Sequence, residues 1–188
     1  APSGSQLGDL SIIQIPGELQ ITAQTQANAS PIMMPSNPVL GNMWAKAREI
    51  QSEYQMIFNT AFDWLPFYLT PFFHIPIAHF VSMGAQIEAI NLAIERVAID
   101  FPGTIGVCTR TQAETFSFAD LCLPIGGSGV DPALYEYCDS PENELAWLGR
   151  ISPEKALEDA VAAAQRTGIK LKIMGKIQDP AYWEQIQR

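Results

Sequence analysis

Two basic side chains lie close together in residues 147–155, and their spacing could serve the binding of an anion. Arg150 directly follows a short apolar run, and Lys155 lies in the first turn of a predicted helix. A cation at a helix start opposes the helix dipole by up to about 1 kcal/mol, and a bound anion would reverse that sign. Arg150, Lys155 and backbone N–H groups would then converge on the anion. The alternative is a solvated Lys155 that pairs with Asp159.

The elements that must position these cations form a predicted strand–helix–strand unit. Residues 144–148 are apolar enough for a short buried strand. Ser152 is a suitable N-cap, and Pro153 stands at the first helical position, where its missing N–H costs nothing. Gly168 is placed to end the helix, and residues 171–174 form the next strand. The pattern predicts a βαβ unit with both cations in its first turn.

The same residues carry a resemblance to a known family. Gly149-Arg-Ile-Ser-Pro-Glu-Lys, a helix of the type Leu-Glu-Asp-Ala-Val-Ala-Ala-Ala-Gln, and Leu-Lys-Ile-Met-Gly-Lys resemble the donor-site turn of the retaining GT-B glycosyltransferases, the glycosyl transferases group 1 family. In that family the Arg and Lys hold the diphosphate of a nucleotide sugar, which implies this role for Arg150 and Lys155. The resemblance also implies that the donor approaches the backbone at Gly84, Gly149 and Gly175.

The N-terminal half extends the resemblance. Thr-Arg-Thr-Gln-Ala-Glu-Thr-Phe and Leu-Pro-Ile-Gly-Gly-Ser-Gly-Val-Asp are similar to the short helix and turn that close the family's first Rossmann domain. Ile-Pro-Ile-Ala-His79 matches the place where the family has a histidine near the transferred sugar, which implies a catalytic role for His79. We expect His79 at the carboxyl end of a strand, where α/β sheets bind ligands. The alternative is a hydrogen-bonded core histidine.

The chain departs from the family at two positions. Ala156 follows the lysine where the family usually has glycine, and alanine is a good helix former. Ser128 stands where the family usually has asparagine.

One subfamily is similar over longer segments. Asn-Thr-Ala-Phe-Asp-Trp-Leu-Pro-Phe-Tyr-Leu-Thr-Pro-Phe-Phe, Pro-Ile-Ala-His-Phe-Val-Ser-Met-Gly and Asp-Pro-Ala-Tyr-Trp resemble cyanobacterial glucosyltransferases that use UDP-glucose and tetrahydrobiopterin. This implies transfer of glucose with retention, UDP-glucose as donor substrate, a small pteridine acceptor, and no cofactor or metal. Asp63 and Trp64 are the acceptor-side candidates, since a carboxylate could pair with an amino-pyrimidine edge and an indole could stack on the ring. The alternative is that the aromatic side chains of this stretch are core: Trp64, Phe67, Tyr68, Phe72 and Phe73.

The composition of the chain limits the classes of function that it could have. The 188 residues are 47% hydrophobic and carry a net charge of −9, which argues against nucleic acid and against an anionic membrane surface as partner. No apolar run of about 18 residues and no signal-like start are present, so we expect a cytoplasmic protein without a transmembrane segment. Cys108, Cys122 and Cys138 are typical of free thiols in a reducing compartment. Oligomeric state stays open.

Alternating strands and helices predict an α/β fold with a parallel sheet. We expect strands over residues 10–15, 56–59, 77–81, 104–108 and 121–125, with helices over residues 38–54, 63–72, 85–99 and 111–116. The resemblance implies GT-B architecture: residues 1–138 as an acceptor-side Rossmann-like domain that lacks its first strand and Gly-rich turn, and residues 139–188 as the first β-α-β-α of a nucleotide-sugar-binding domain.

Because parts of the family's active site are missing, the resemblance implies an internal fragment that turns over very slowly or not at all. The alternative function is a non-catalytic α/β binding or interaction module derived from that fold. A third interpretation, a dinucleotide-binding Rossmann protein, lacks support, because Gly126-Gly-Ser-Gly does not have the G-x-G-x-x-G spacing.

Overall fold

The computed structural model describes residues 1–23, 26, 28–127 and 129–187. It divides into two compact units, unit 1 over Ala1–Val130 and unit 2 over Asp131–Arg188. The sequence analysis placed a domain boundary between residues 138 and 139. Both units are α/β, and every strand pair within the described residues is parallel.

Unit 1 is built on a four-stranded parallel sheet with the strand order β1-β2-β3-β4. Asn59 pairs with His79, which pairs with Ile105, so these three residues lie in one row across the sheet. The strands are β1 (Ile57–Asn59), β2 (Ile77–Val81), β3 (Ile105–Val107) and β4 (Leu123–Pro124), and the helices are α1 (Val39–Ile50), α2 (Trp64–Leu69), α3 (Glu88–Asp100) and α4 (Arg110–Ala113).

The core of unit 1 lies between one face of this sheet and the helices α2 and α3. Alternate residues of β2 are buried because successive side chains point to opposite faces of a strand. Each fully buried large apolar side chain contributes about 1.5–3 kcal/mol. The central contributors are Ile90, Ile94 and Val97 from α3 and Val81, Ile105 and Val107 from the sheet.

The strand that we predicted over residues 10–15 is wrong. Within this segment the structure has only a single parallel bridge, between Ile15 and Pro2. Leu10 and Ile13 are largely exposed. β-Branched residues form a strand only where a neighbouring strand supplies both a hydrogen-bond ladder and a packing surface. The hydrogen bonds of residues 13–15 go instead to the irregular segment at residues 1–5.

Unit 2 contains the predicted strand–helix–strand unit. β5 (Glu144–Leu148) and β6 (Lys170–Met174) pair in parallel over five residues, and α5 (Leu157–Thr167) connects them. A further helix, α6 (Pro180–Ile186), completes a small core around Ile151, Leu157 and Tyr182. No helix among the described residues is long and apolar enough to span a membrane.

Helix α5 begins later than the sequence predicted. Pro153–Lys155 is a separate 3₁₀ turn, and Ala156 follows it in the left-handed conformation, with φ 49° and ψ 50°. The helix therefore starts at Leu157, and Lys155 precedes it. Ser152 makes no side-chain cap, and its Oγ instead donates to Oε1 of Glu154 at 2.7 Å. The prediction that Gly168 ends α5 is confirmed: its φ is 67° and its N–H donates to the carbonyl of Ala164.

Candidate functional site

Residues 149–155, which we call the basic loop, follow β5 at the carboxyl edge of the parallel sheet of unit 2. The N–H of Gly149 donates to the carbonyl of Met174 at 3.1 Å, and the N–H of Ile151 donates to the carbonyl of Lys176 at 2.9 Å. These bonds hold the loops that follow β5 and β6 together. The two loops approach each other so closely that a Cβ on Gly175 would lie 1.7 Å from the carbonyl oxygen of Gly149. Glycine at 175 is therefore required by the packing of the two loops.

Arg150 is held in place from two sides. Its Nη1 donates to Oε1 of Gln178 at 2.6 Å, and its Nη2 forms an ion pair with Oε1 of Glu154 at 3.2 Å. The side chain remains 35% exposed, so the guanidinium can still reach a ligand from solvent. Gln178 was missed by the sequence analysis, because its contact to Arg150 spans 28 residues.

The donors of this loop converge on the carboxylate of Glu154. Ser152 Oγ donates to Oε1 of Glu154, and this hydrogen bond is the main cause that lowers the pKa of Glu154. The residue's own backbone N–H and the charges of Arg150 and Lys155 lower this pKa further. Lys155 is exposed and has no hydrogen bond or ion pair to another side chain in the described residues, so it does not pair with Asp159. The loop therefore surrounds an anionic group of its own.

The first amide of α5 is occupied by a tyrosine. The N–H of Leu157 donates to the hydroxyl of Tyr182 at 2.9 Å, and this hydroxyl also contacts the carboxylate of Glu158. Tyr182 is buried and comes from α6, where Asp179 accepts its N–H at 3.0 Å as the N-cap. The sequence pattern does not predict this contact, because it spans 25 residues. The Asp179-Pro pair was the available signal, because it marks a helix start.

In unit 1, His79 lies at the middle of β2 and is 1% exposed. The expectation that it ends its strand is therefore wrong. Its Nδ1 is 3.1 Å from Nδ2 of Asn59, and its Nε2 is 2.9 Å from Oγ1 of Thr70. The Thr70 hydroxyl donates to the carbonyl of Pro66, so it accepts from Nε2–H of the histidine. The ring also stacks on Phe67, with centroids 4.6 Å apart.

This environment keeps the imidazole neutral. Burial lowers the pKa of His79 to about 4, because the charged form would lose its hydration. Both ring nitrogens are hydrogen-bonded, one as acceptor and one as donor. In this arrangement the side chain ties α2 and the turn after it to the sheet.

A cavity of about 400 Å³ lies at the carboxyl edge of the sheet in unit 1. Thr60 and Asp63, which follow β1, and Ser82 and Met83, which follow β2, contribute to its wall. Ligands of open α/β sheets bind in this position. The remaining wall is mainly apolar and includes Leu19, Ile21, Val39, Leu40, Met43 and Phe62.

Asp63 and Trp64 are separated by the structure although they are adjacent in sequence. Asp63 caps α2, since its Oδ1 accepts from the N–H of Leu65 at 2.9 Å, and its Oδ2 accepts from Nε2 of Gln20 at 3.0 Å. Trp64 lines a different cavity, on the outer side of α2, and stacks on Tyr68 at 4.4 Å. The two acceptor-side candidates therefore do not line the same cavity.

The loop that carries Gly84 is braced by α4 and the residues after it. Gln112 Nε2 donates to the carbonyl of Val81 at 2.7 Å and to that of Met83 at 2.9 Å. A Cβ on Gly84 would lie 2.9 Å from Oγ1 of Thr115, so the loop packs tightly on this threonine. Gln112 and Thr115 were missed as positioning residues, because the sequence showed only a short helix here. Ser128, the family's asparagine position, lies outside the described residues.

Comparison of the chain with models of known protein families finds no match, and comparison with curated proteins also finds none. Within the part of the chain that the structure describes, no group of three or more His, Cys, Asp or Glu side chains could hold a metal ion.

Proposed function

We propose that this chain is part of a retaining glycosyltransferase of the GT-B type, which transfers glucose from UDP-glucose to a small acceptor such as tetrahydrobiopterin. Unit 2 would bind the donor diphosphate, and unit 1 would bind the acceptor. The observation that carries the proposal is the convergence of Ser152 and Arg150 on the carboxylate of Glu154 at the carboxyl edge of a parallel sheet, where the charge of Lys155 also lowers the pKa of that carboxylate.

A diphosphate is a stronger ligand for such a loop than the carboxylate of Glu154. It has more acceptor oxygens and more charge, and charge-assisted hydrogen bonds from Arg and Lys are about twice as strong as neutral ones. The donor would take the place of Glu154 beside Arg150 and Lys155. During transfer the same cations would offset the charge that builds on the leaving diphosphate, so losing either is expected to cost about 2–4 kcal/mol in the transition state.

For the acceptor, the cavity beside Asp63 is the supporting feature. The cavity volume of about 400 Å³ lies within the usual range for small-molecule sites. The carboxylate of Asp63 could accept hydrogen bonds from an amino-pyrimidine edge. Under this proposal His79 positions α2, and with it Asp63, because both ring nitrogens are already hydrogen-bonded.

Calorimetric titration of UDP into the 188-residue chain tests the donor site. We expect Arg150→Ala and Lys155→Ala each to weaken UDP binding by about tenfold or more, since a hydrogen bond to a charged group contributes about 1.5–3 kcal/mol. Arg166→Ala is the matched control, because this exposed arginine lies in the last turn of α5 and its removal changes the net charge equally. A UDP affinity that neither Arg150→Ala nor Lys155→Ala lowers, or no UDP binding at all, would contradict the proposed donor site.

A non-catalytic binding module is the second candidate. It is favoured by Tyr182, which occupies the first amide of α5, and by His79, which has no nitrogen free for a substrate. Steady release of UDP from UDP-glucose in the presence of tetrahydrobiopterin would support the transferase over the module. Binding of UDP that depends on Arg150 and Lys155, without release, agrees with both candidates.

A further inference from the structure

A glutamine side chain contacts the carboxylate of Asp63 in the wall of the cavity of unit 1. Nε2 of Gln20 donates to Oδ2 of Asp63 at 3.0 Å. Both residues are half-buried, and both contribute to the cavity wall. The two residues lie 43 positions apart in the sequence, so only the folded chain brings this amide and this carboxylate together.

The position of Gln20 is not explained by the burial of apolar surface. Leu19 is 76% exposed and Ile21 is 63% exposed, whereas the glutamine between them is turned toward the protein. A segment that only covers a core buries its apolar residues and exposes its polar ones. The reversed arrangement indicates that the glutamine side chain has a role at the cavity.

The segment that carries Gln20 is anchored directly before it. The N–H of Glu18 donates to the carbonyl of Asn37 at 2.7 Å, and the N–H of Val39 donates to the carbonyl of Glu18 at 2.9 Å. A Cβ on Gly17 would lie 2.6 Å from Cα of Val39, so the backbones pack closely here. Gln20 therefore stands two residues after a fixed point, and a side chain held in this way loses little freedom when a ligand binds.

Asp63 fixes which way the amide of Gln20 points. A carboxylate only accepts hydrogen bonds, so Nε2 must face it and Oε1 must point away. Within the described residues, the second N–H of this amide has no hydrogen-bond partner. Each oxygen of Asp63 accepts one hydrogen bond, from Leu65 or from Gln20, and can accept a second. The pair therefore presents two acceptor positions beside one donor.

We propose that Gln20 is a specificity-determining residue of the acceptor site and that the pair recognises the 2-amino-4-oxo edge of a pterin. Asp63 accepts from the 2-amino group and from the ring N3–H, and Gln20 donates to the 4-oxo oxygen. A 4-amino group would set a donor against the N–H of Gln20, which disfavours that ligand. This role rests on the proposed function, because it concerns the acceptor of the same reaction.

Calorimetric titration of two matched ligands into the 188-residue chain at neutral pH tests the role of Gln20. The ligands are 6-hydroxymethylpterin and 2,4-diamino-6-hydroxymethylpteridine, which have a 4-oxo and a 4-amino group respectively. The wild-type chain should bind the 4-oxo ligand about tenfold more tightly, and Gln20→Leu should reduce this preference by about fivefold. Gln55→Leu, at an exposed glutamine outside the cavity wall, is the matched control and should leave the preference unchanged.

A purely structural role of Gln20 would weaken both ligands equally, so an unchanged preference in Gln20→Leu would overturn the proposed role. Asp63→Asn keeps a suitable cap for α2 and should weaken the 4-oxo ligand by about tenfold. If it does so while Gln20→Leu leaves the preference unchanged, only the role of Gln20 is wrong and the acceptor site stands. No binding of either ligand would overturn both. Failure of the UDP titration with the pterin preference intact would contradict the donor site alone.

Discussion

The conformation of Ala156 predicts that glycine stabilises the protein at this position. Ala156 is the non-glycine residue with positive φ among the described residues, at φ 49° and ψ 50°, between the 3₁₀ turn and α5. An L-residue in the left-handed region costs about 1–2 kcal/mol, because Cβ crowds the following carbonyl oxygen. Glycine has no Cβ and adopts this conformation without that cost.

The expected gain is smaller than this strain. Glycine makes the unfolded chain more flexible, which costs about 0.4–1 kcal/mol of stability. The difference leaves Ala156→Gly more stable by about 0.5–1 kcal/mol. Ala162→Gly is the matched control, since Ala162 is exposed in the middle of α5, where the same change costs about 1 kcal/mol. The two substitutions should therefore shift stability in opposite directions.

Urea unfolding followed by far-UV circular dichroism measures both variants. With a slope of about 2 kcal/mol per molar urea, the two midpoints should differ by roughly 1 M. A midpoint for Ala156→Gly that falls as far as that of Ala162→Gly would refute the left-handed conformation at this turn. Such a result would mean that Ala156 lies in the continuous helix that the sequence alone suggests.

Three further predictions concern the candidate sites. Glu154→Gln should raise UDP affinity in calorimetry by about fivefold, because a half-exposed carboxylate no longer competes for Arg150; an unchanged or lower affinity would contradict the overlap of the two anions. The unfolded chain takes up a proton on His79 near pH 6.5 and the folded chain only near pH 4, so stability should fall by about 3 kcal/mol as pH drops through this window. His79→Gln should remove that dependence in urea titrations at several pH values, and His74→Gln, at an exposed histidine, is the control. Gly175→Ala should destabilise unit 2 far more than Gly168→Ala in thermal unfolding, because only the former places a Cβ against backbone; equal effects would contradict the close loop packing.

Several elements of the fold could be predicted from the sequence because their signals are local. β2 and β5 have the predicted bounds, since short runs in which four of five residues are apolar, placed between turn residues, leave few alternatives. Gly168 as the end of α5 was also predictable, because a left-handed C-terminal residue is a local backbone requirement. The parallel sheets follow from the alternation of strands and helices.

The chemistry of the candidate residues depends on tertiary contacts, and these contacts cannot be deduced from the spacing of residues in the sequence. His79 has the environment of a core histidine because Asn59 and Thr70, 20 and 9 residues away, occupy its two nitrogens. Asp63 and Trp64 line different cavities because successive residues at a helix start point in different directions.

The sequence by itself determined the bounds of β2 and β5, and with them the residues that follow these two strands, because the local apolar pattern specifies where such a strand begins and ends. Only the tertiary structure decided that Gln178 contacts Arg150 and that Tyr182 occupies the first amide of α5. The physical reason is that a buried or confined donor must find an acceptor, and which acceptor reaches it depends on packing between elements distant in sequence.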